Sequence, residues 1–173
     1  MAETVRNEIN QYLTFTLDQE LFALDIFSVR EVLEYTQITR VPRTPAYMRG
    51  IINVRGNAVP VIDLNMKFGR SKTEQTINTS IIIVEVEMES ETVTIGALAD
   101  SVREVFEMRE DQIDPPPKMG TAIRADFIKG MGKQDDDFIM ILDINKVFSA
   151  EELAAIRQQP QQTREEHPQL VEA

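Results

Sequence analysis

The chain carries the pentapeptide SVREV twice, at residues 28–32 and 101–105. Two further pairs of segments match in the same order: YMRG (47–50) with FIKG (127–130), and IDLNMKF (62–68) with LDINKVF (142–148). The first pair is offset by 73 residues and the other two by 80, so the second copy must hold an insertion of seven residues. Three consecutive prolines at 115–117 predict that this insertion is a loop. The sequence is therefore interpreted as an internal duplication.

Each copy is predicted to begin with a β-hairpin. Apolar and polar residues alternate in 11–24 around a break at Asp18-Gln19, and 80–99 has the same form around MESE. A period of two with a short polar break is typical of two antiparallel strands. The SVREV segments that follow fit either a helix or a strand. Their β-branched residues favour one helical turn followed by a strand.

The second half of each copy is predicted to hold a further hairpin and a short helix. In GIINVRGNAVPVI (50–62), two strands flank a turn in which Gly56-Asn57 supplies the positive φ. Pro60 lacks a backbone donor, so its strand is expected to be an edge strand or to carry a bulge. In 63–69, Asp63 is the expected N-cap of a helix that ends before Gly69.

A C-terminal helix is predicted over 150–159. Ser149 and Glu152 form a capping box, and Phe148 and Leu153 occupy the two positions of a hydrophobic staple. The tail at 160–173 is rich in Gln and Glu and poor in large apolar residues, which predicts disorder.

About five short strands in each copy predict a mainly β fold. Closing each set into a small barrel would remove exposed sheet edges. The expected organisation is two barrels side by side, the first over 10–78 and the second over 79–149.

Composition excludes several classes of function. The net charge of −11 argues against nucleic acid, because phosphate binding needs clustered Lys and Arg. There is no Cys, and the single histidine, His167, lies in the polar tail. The N-terminus lacks a signal-peptide core, and the longest aliphatic run, 81–84, is far too short to span a bilayer. These features predict a soluble, cytoplasmic protein.

Candidate catalytic motifs are weak. KGMGK at 129–133 lacks the spacing of a phosphate-binding loop, and the three aspartates at 135–137 lack the alternation of a calcium loop. A carboxylate-dependent barrel enzyme acting on a small molecule stays open, since 29 acidic residues offer many pairs and none stands out. The leading prediction is a protein that works by binding, without a cofactor.

The two copies differ at one informative position. Glu31 matches Glu104, whereas Arg55 matches Asp135, so only the first copy can pair this glutamate with an arginine at a hairpin tip. A Glu31–Arg55 pair would fix an exposed, charged recognition patch. The alternative is an ordinary surface ion pair that contributes roughly 0–1 kcal/mol to stability.

The most distinctive stretch of the chain is TPAYMRGIINVRG (44–56), followed by VPVIDL (59–64). In these motifs, and between about residue 10 and residue 158, the chain resembles the CheW-type chemotaxis coupling proteins. It implies two five-stranded SH3-like barrels and a non-enzymatic adaptor. The implied partners are the cytoplasmic tips of transmembrane chemoreceptors and the regulatory domain of a CheA-type histidine kinase. The protein would then be recruited to membrane-associated receptor arrays through those receptors.

The resemblance also implies site residues. The receptor-binding positions would be Val29, Glu31, Gly50, Arg55, Ile81 and Ile82, with Glu31 and Arg55 as a structural ion pair. The kinase or ring contact would fall at Asp114, Lys118 and Met119, where the charges are the reverse of the family's usual pattern. Core or turn packing is the alternative role for Val29, Gly50, Ile81 and Ile82.

Overall fold

The computed structural model describes residues 9–88, 90–116 and 125–156, which form ten strands and three short α-helices. The strands are β1 (Ile9–Leu17), β2 (Glu20–Asp25), β3 (Val29–Glu34), β4 (Met48–Val54), β5 (Asn57–Asp63), β6 (Ser80–Glu87), β7 (Thr92–Ala99), β8 (Ser101–Arg109), β9 (Ile128–Gln134) and β10 (Asp137–Leu142). The helices are α1 (Leu64–Lys67), α2 (Ile144–Val147) and α3 (150–156), and single 3₁₀ turns occur at Ile26–Ser28, Glu110–Gln112 and Ala125–Phe127.

The strands form two five-stranded sheets. Sheet A has the order β8-β1-β2-β10-β9, and sheet B has the order β3-β6-β7-β5-β4. Each consists of antiparallel pairs apart from one parallel contact, β2 with β10 in sheet A and β7 with β5 in sheet B. The predicted fold class, mainly β with two five-stranded SH3-like units, is confirmed.

The duplicated halves exchange their first hairpins. Sheet A joins β1 and β2 of the first copy to β8, β9 and β10 of the second, and sheet B does the reverse. The sheets thus group the strands differently from the predicted division into 10–78 and 79–149. A physical reason lies in the connector: Asp100 alone separates β7 from β8, which leaves no loop to turn the chain back onto its own hairpin.

Each sheet curls so that its two edges approach each other. Within the described residues no ladder joins the edge strands of either sheet, so the closure expected of a barrel is incomplete. An isolated β-bridge links the two edges of each sheet instead. In sheet B, Thr39, after β3, exchanges two backbone hydrogen bonds with Ile51 of β4, at 2.8 and 2.9 Å. Asp114, after β8, makes the same contact with Met131 of β9, with both distances 2.8 Å.

The apolar residues form one shared cluster and two smaller ones. The shared cluster contains Phe15 and Phe22 of sheet A together with Ile82 and Val84 of sheet B, so it packs the sheets against each other. Successive residues of a strand point to opposite faces, and Ile81 and Ile83 accordingly fill a separate cluster within sheet B. This two-sided burial explains why 81–84 is a continuous aliphatic run.

The hairpins occur where the sequence predicts them, with two corrections in 50–62. Positive φ falls on Arg55 and Gly56 (52° and 87°), one residue earlier than expected. The strand containing Pro60 is internal, with no bulge at that residue. Pro60 is tolerated for two reasons. The pairing of β5 with β7 begins only at Val61. On β4, the residue opposite Pro60 is Ile51, whose backbone N–H and C=O form hydrogen bonds with Thr39.

The SVREV segments differ between the copies. In the first, a 3₁₀ turn at Ile26–Ser28 precedes β3, as predicted. In the second, β8 begins directly at Ser101, so the expected helical turn is wrong there.

The helix ends follow the predicted chemistry. Asp63 accepts a hydrogen bond from the Met66 N–H (3.3 Å), and Gly69 takes φ +82° after α1. The Ser149–Glu152 capping box is formed, with distances of 2.8 and 3.1 Å. Residues 157–159 of the predicted last helix and the tail at 160–173 lie outside the described residues. In the described part of the chain no helix is both long and apolar enough to cross a membrane.

Candidate functional site

Glu31 and Arg55 form a two-pronged ion pair at the surface of sheet B. Both guanidinium nitrogens Nη1 and Nη2 donate to the carboxylate, the second at 3.0 Å to Oε1. The Arg55 side chain is 73% exposed and the Glu31 side chain 24% exposed. The planar guanidinium group donates to both oxygens of the carboxylate, and this bidentate geometry makes an Arg–Glu pair more specific. The ion pair presents a fixed charged surface to solvent.

The backbone of the β4–β5 turn holds Arg55 in place. Arg55 has φ +52°, and the Asn53 side chain accepts the Gly56 N–H at 2.7 Å, which closes the turn. On the other side, Glu31 lies on β3 opposite Ile83 of β6. The turn is thus held by a hydrogen bond to the Asn53 side chain, and β3 is held by its ladder with β6.

The pairing shifts the pKa of both groups. The hydrogen bond from Arg55 lowers the pKa of the Glu31 carboxyl, a change that its partial desolvation opposes. The same hydrogen bond raises the pKa of Arg55. Both groups therefore stay charged throughout the physiological range.

The second copy reproduces the backbone of this site but not its ion pair. Asp135 has φ +54°, close to the value at Arg55, which supports the alignment of the two turns. Among the described residues, the Glu104 carboxylate accepts a hydrogen bond from the side-chain amide of Gln134, at 3.5 Å. The predicted difference between the copies is therefore present in the structure.

The other predicted receptor-binding residues differ in their exposure. Val29 is half-buried at the start of β3. Gly50 is buried with φ +144°, and a Cβ there would overlap the Thr39 carbonyl group. Ile81 and Ile82 are both 0% exposed, so their side chains cannot touch a partner without rearrangement. They lie on β6, which pairs with β3 in sheet B.

Of the predicted ring contact, only Asp114 lies within the described residues. It is exposed, and its backbone is fixed by the bridge to Met131. Lys118 and Met119 lie outside the described residues.

Sequence reasoning missed two exposed apolar residues, one on β3 and one in the turn that precedes it. Phe27, in the 3₁₀ turn that leads into β3, is 86% exposed, and Val32 on the same strand is 41% exposed. A large exposed aromatic ring is a common anchor at protein interfaces. The alternating pattern of 29–34 could have predicted the exposure of Val32. The exposure of Phe27 depends on the 3₁₀ turn.

A second missed feature is the cage around Lys67. Its Nζ lies 5.2, 5.3 and 5.7 Å from the ring centroids of Tyr47, Phe127 and Phe148, and 3.0 Å from the Glu152 carboxylate. Tyr47 also donates to Glu152, at 3.0 Å. Because the side chain of Lys67 is only 11% exposed, this cluster ties α1 to α3 and does not form a recognition surface.

A catalytic arrangement has no support in the described residues. Within 9–88, 90–116 and 125–156, no three His, Cys, Asp or Glu side chains are grouped as a metal site would require. The three aspartates at 135–137 lie in and after the exposed β9–β10 turn, and KGMGK belongs to β9.

Comparison with known proteins identifies the family. The family model for the CheW-like domain matches residues 11–152. The chemotaxis protein CheW of Klebsiella aerogenes is 32% identical over 90% of this chain and 89% of its own length, and that of Treponema pallidum is 30% identical over 86% and 88%. The scaffolding protein TtCheW from Thermoanaerobacter tengcongensis has a crystal structure that matches with a TM-score of 0.74 and 38% identity, covering 84% of this chain and 96% of that one.

These names agree with the prediction of a non-enzymatic chemotaxis scaffold, and they give no support to the alternative of a carboxylate-dependent enzyme. The family match covers both sheets and the Glu31–Arg55 pair. The chain therefore belongs to the CheW-like family of chemotaxis scaffold and adaptor proteins.

Proposed function

We propose that the chain couples the cytoplasmic tips of transmembrane chemoreceptors to the regulatory domain of a CheA-type histidine kinase. The observation that carries this proposal is the exposed Glu31–Arg55 pair, which one copy of the repeat holds and the other lacks. Two related but unequal surfaces are what a connector between two different partners requires. The protein would act in the cytoplasm and reach the membrane only through the receptors.

The receptor is proposed to dock on the edge of sheet B that carries the Glu31–Arg55 pair. Val29 lies opposite Val84 and Glu31 opposite Ile83, across a register shift, so the two side chains point to opposite faces and the contact is proposed along the edge strand β3. Phe27 supplies the apolar area that a charged pair alone would not provide. Gly50, Ile81 and Ile82 are proposed to act indirectly, by holding the curvature of the sheet on which this face depends.

The kinase, or a neighbouring adaptor in a ring, is proposed to contact the segment around Asp114, including Lys118 and Met119. This segment follows β8 of sheet A, whereas the proposed receptor face belongs to sheet B. Engagement of both partners at once raises the effective concentration of each, so contacts that are individually weak hold the assembly together. Control of the kinase then follows if the adaptor binds one arrangement of its partners better than the other.

The experiment is a reconstitution with receptor fragments, kinase and either wild-type protein or Arg55→Glu. The substitution places two carboxylates together at an exposed site, so we expect the fold to persist and receptor-dependent kinase activation to be lost. Lys146→Glu is the control, because it reverses the charge of an exposed residue on α2, outside both proposed docking faces. A folded Arg55→Glu protein that activates the kinase as well as Lys146→Glu does would contradict the role of the Glu31–Arg55 pair.

Separate pull-downs distinguish the two proposed faces. Arg55→Glu should weaken capture by the receptor fragment and leave capture by the kinase regulatory domain unchanged. An Asp114→Lys variant should show the opposite pattern.

A further inference from the structure

A pocket of about 430 Å³ lies in the connection between β3 and β4 of sheet B. Every described residue that lines it belongs to the segment 40–49, and three of them are arginines: Arg40, Arg43 and Arg49. No Asp or Glu is among the described residues of this lining. The whole chain has a net charge of −11, so this group of cations is not a consequence of the overall composition.

The segment around the pocket is anchored in the core. Val41 is 7% exposed and Met48 is 5% exposed, and both belong to the apolar cluster that the two sheets share. The Thr44 hydroxyl donates to the Val41 carbonyl at 3.0 Å, and the Met48 N–H donates to the Pro45 carbonyl, also at 3.0 Å. The pocket is therefore preformed.

Arg43 has a backbone conformation that arginine rarely adopts. Its φ is +62°, in the left-handed region, and it follows Pro42 in a turn. For a residue with a Cβ atom this conformation costs free energy that glycine would avoid. Strained positions of this kind cluster at sites where a side chain serves binding. Arg55, the arginine of the proposed recognition pair, has a similar φ of +52°.

Two of the three positive charges lack a counter-ion among the described residues. Arg49 Nη1 donates to the carboxylate of Asp63 at 3.1 Å, so this carboxylate balances the charge of Arg49. Arg40 and Arg43 are exposed, and neither forms an ion pair within the described part of the chain. The pocket thus has an excess of two positive charges.

We propose that this pocket binds a small phosphate monoester. The phosphate group of a monoester carries a charge of about −1.5 to −2 at pH 7, which balances two guanidinium groups, whereas one carboxylate balances only one. Its terminal oxygens match the planar fork of N–H donors that an arginine presents. The organic part of the ester would contact the apolar residues of the lining, which are Val41, Pro42, Pro45, Ala46 and Met48. The volume lies within the range of small-molecule sites, about 300–1,000 Å³.

This pocket is distant from the Glu31–Arg55 pair along the strand. Arg49 lies near the start of β4 and Arg55 follows its end, and six residues of strand span roughly 20 Å. Phosphate binding is therefore independent of the proposed coupling function, and its test requires neither receptor nor kinase.

The test is a titration of the full ¹⁵N-labelled chain with phenyl phosphate at constant ionic strength, followed by NMR. A pH of about 7.5 keeps the phosphate doubly charged, since its second pKa is about 6. The backbone amide signals of Arg40 and Arg43 should show a saturable shift, and that of Arg55 should not. Phenyl sulfate is the matched probe, because it has the same shape but one negative charge, and it should bind about tenfold more weakly. Inorganic phosphate, which lacks the organic group, should also bind more weakly than phenyl phosphate.

Variants separate binding from folding. Arg43→Gly removes a guanidinium group and places glycine at a positive φ, so it should weaken phenyl phosphate binding about tenfold and unfold at no lower urea concentration than the wild type. Arg40→Gln should weaken binding to a similar degree, and it serves alone if Arg43→Gly fails to fold. Arg103→Gln is the control, because it makes the same change in net charge at an exposed position on β8 of sheet A, and it should bind like the wild type.

Four results would each overturn the proposal. The first is equal binding of phenyl phosphate and phenyl sulfate, and the second is equal binding of phenyl phosphate and inorganic phosphate. The third is a shift that grows with ligand concentration without saturation, or that is confined to residues outside 40–49. The fourth is equal affinity of Arg40→Gln and Arg103→Gln for phenyl phosphate.

Discussion

Arg55 and Glu31 join the two opposite edges of sheet B. Glu31 lies on β3 and Arg55 follows β4, and these are the first and last strands of that sheet. Among the described residues, where no ladder joins these edges, the ion pair and the Thr39–Ile51 bridge both link them. This gives a structural reason for the pair alongside its proposed part in recognition.

The first prediction concerns the charge state of Glu31. In Arg55→Gln the carboxyl loses the cation that lowers its pKa, so the Glu31 pKa should rise towards the ordinary value of about 4.3. Because the pKa of Glu31 is lowered in the folded protein, its contribution to stability is present above the unfolded pKa and disappears as the pH falls through the folded one. NMR titration of the side-chain carboxyl measures the shift directly. An unchanged Glu31 pKa in Arg55→Gln would show that the pair does not persist in solution.

The second prediction separates two glycines with positive φ. In Gly50→Ala the new Cβ would overlap the Thr39 carbonyl group and lie 2.8 Å from Cγ2 of Ile38, so stability should fall by about 3 kcal/mol. In Gly56→Ala the alanine must also adopt a positive φ, at +87°, but its Cβ would meet no atom within 4 Å. The free energy of unfolding should therefore fall by only about 1 kcal/mol. Urea unfolding of both variants gives the two values. Equal losses would mean that the backbone at Gly50 can move away from Thr39.

The pattern of the sequence was sufficient for some parts of this structure and not for others. The repeat and its alternating residues predicted the hairpins, the helix caps and the Glu31–Arg55 pair, because each depends on neighbours in the chain or on a difference between aligned residues. The exchange of hairpins was not predictable in this way. Both copies have the same strand pattern, so pairing within a copy and pairing between copies bury the same faces. The short connectors at Asp100 and Ile26–Ser28 determine which of these two strand pairings forms.

Two features that the sequence did not predict depend on residues far apart in the chain. The cage of Lys67 includes Tyr47, Phe127, Phe148 and Glu152, which come from both copies and from the last helix. The buried carbonyl oxygen of Asn65 has no hydrogen-bond partner among the described residues, whereas that of its counterpart Asn145 accepts the N–H of Glu87 in the other sheet.

The third prediction concerns the cage around Lys67. Burial tends to raise the pKa of Glu152, but the Ser149 N–H, Lys67 and the Tyr47 hydroxyl together lower it. The stability that Glu152 contributes is therefore present above its unfolded pKa and lost as the pH falls through its folded pKa. Lys67→Met removes the buried ion pair and the cation–π contacts and should cost about 2 kcal/mol at neutral pH. It should also weaken the loss of stability that accompanies protonation of Glu152 in the acid range.

Lys146→Met is the control for that prediction. Lys146 lies on α2 and is exposed, so its substitution should change stability by less than about 0.5 kcal/mol and leave the pH dependence intact. Thermal unfolding of the three proteins over the acid range provides the measurement. Parallel pH profiles for the wild type and Lys67→Met would show that the cage does not control Glu152.

The fourth prediction compares the N-cap aspartates of α1 and α2, which are equivalent in the repeat. Asp63 is fully buried and accepts hydrogen bonds from the Arg49 guanidinium at 3.1 Å and from the Thr73 N–H and hydroxyl at 2.9 and 2.7 Å. In Asp63→Asn, an amide NH₂ group, which is a donor, replaces a carboxylate oxygen that accepts from Arg49 and Thr73. The substitution also leaves the Arg49 guanidinium, which is only 17% exposed, without its counter-ion. Breaking a buried pair from one side costs about 3 kcal/mol or more.

Asp143→Asn makes the same chemical change in a different environment. Asp143 is half-buried, and among the described residues its side chain accepts only the Asn145 N–H, at 3.2 Å. Asparagine is as good an N-cap as aspartate, so this variant should lose well under 1 kcal/mol. Denaturant unfolding of both variants therefore measures what the Arg49–Asp63–Thr73 network adds to an ordinary cap. A difference below about 1 kcal/mol between them would show that the network contributes little, and that the segment from Arg70 to Thr79 is held in place by other contacts.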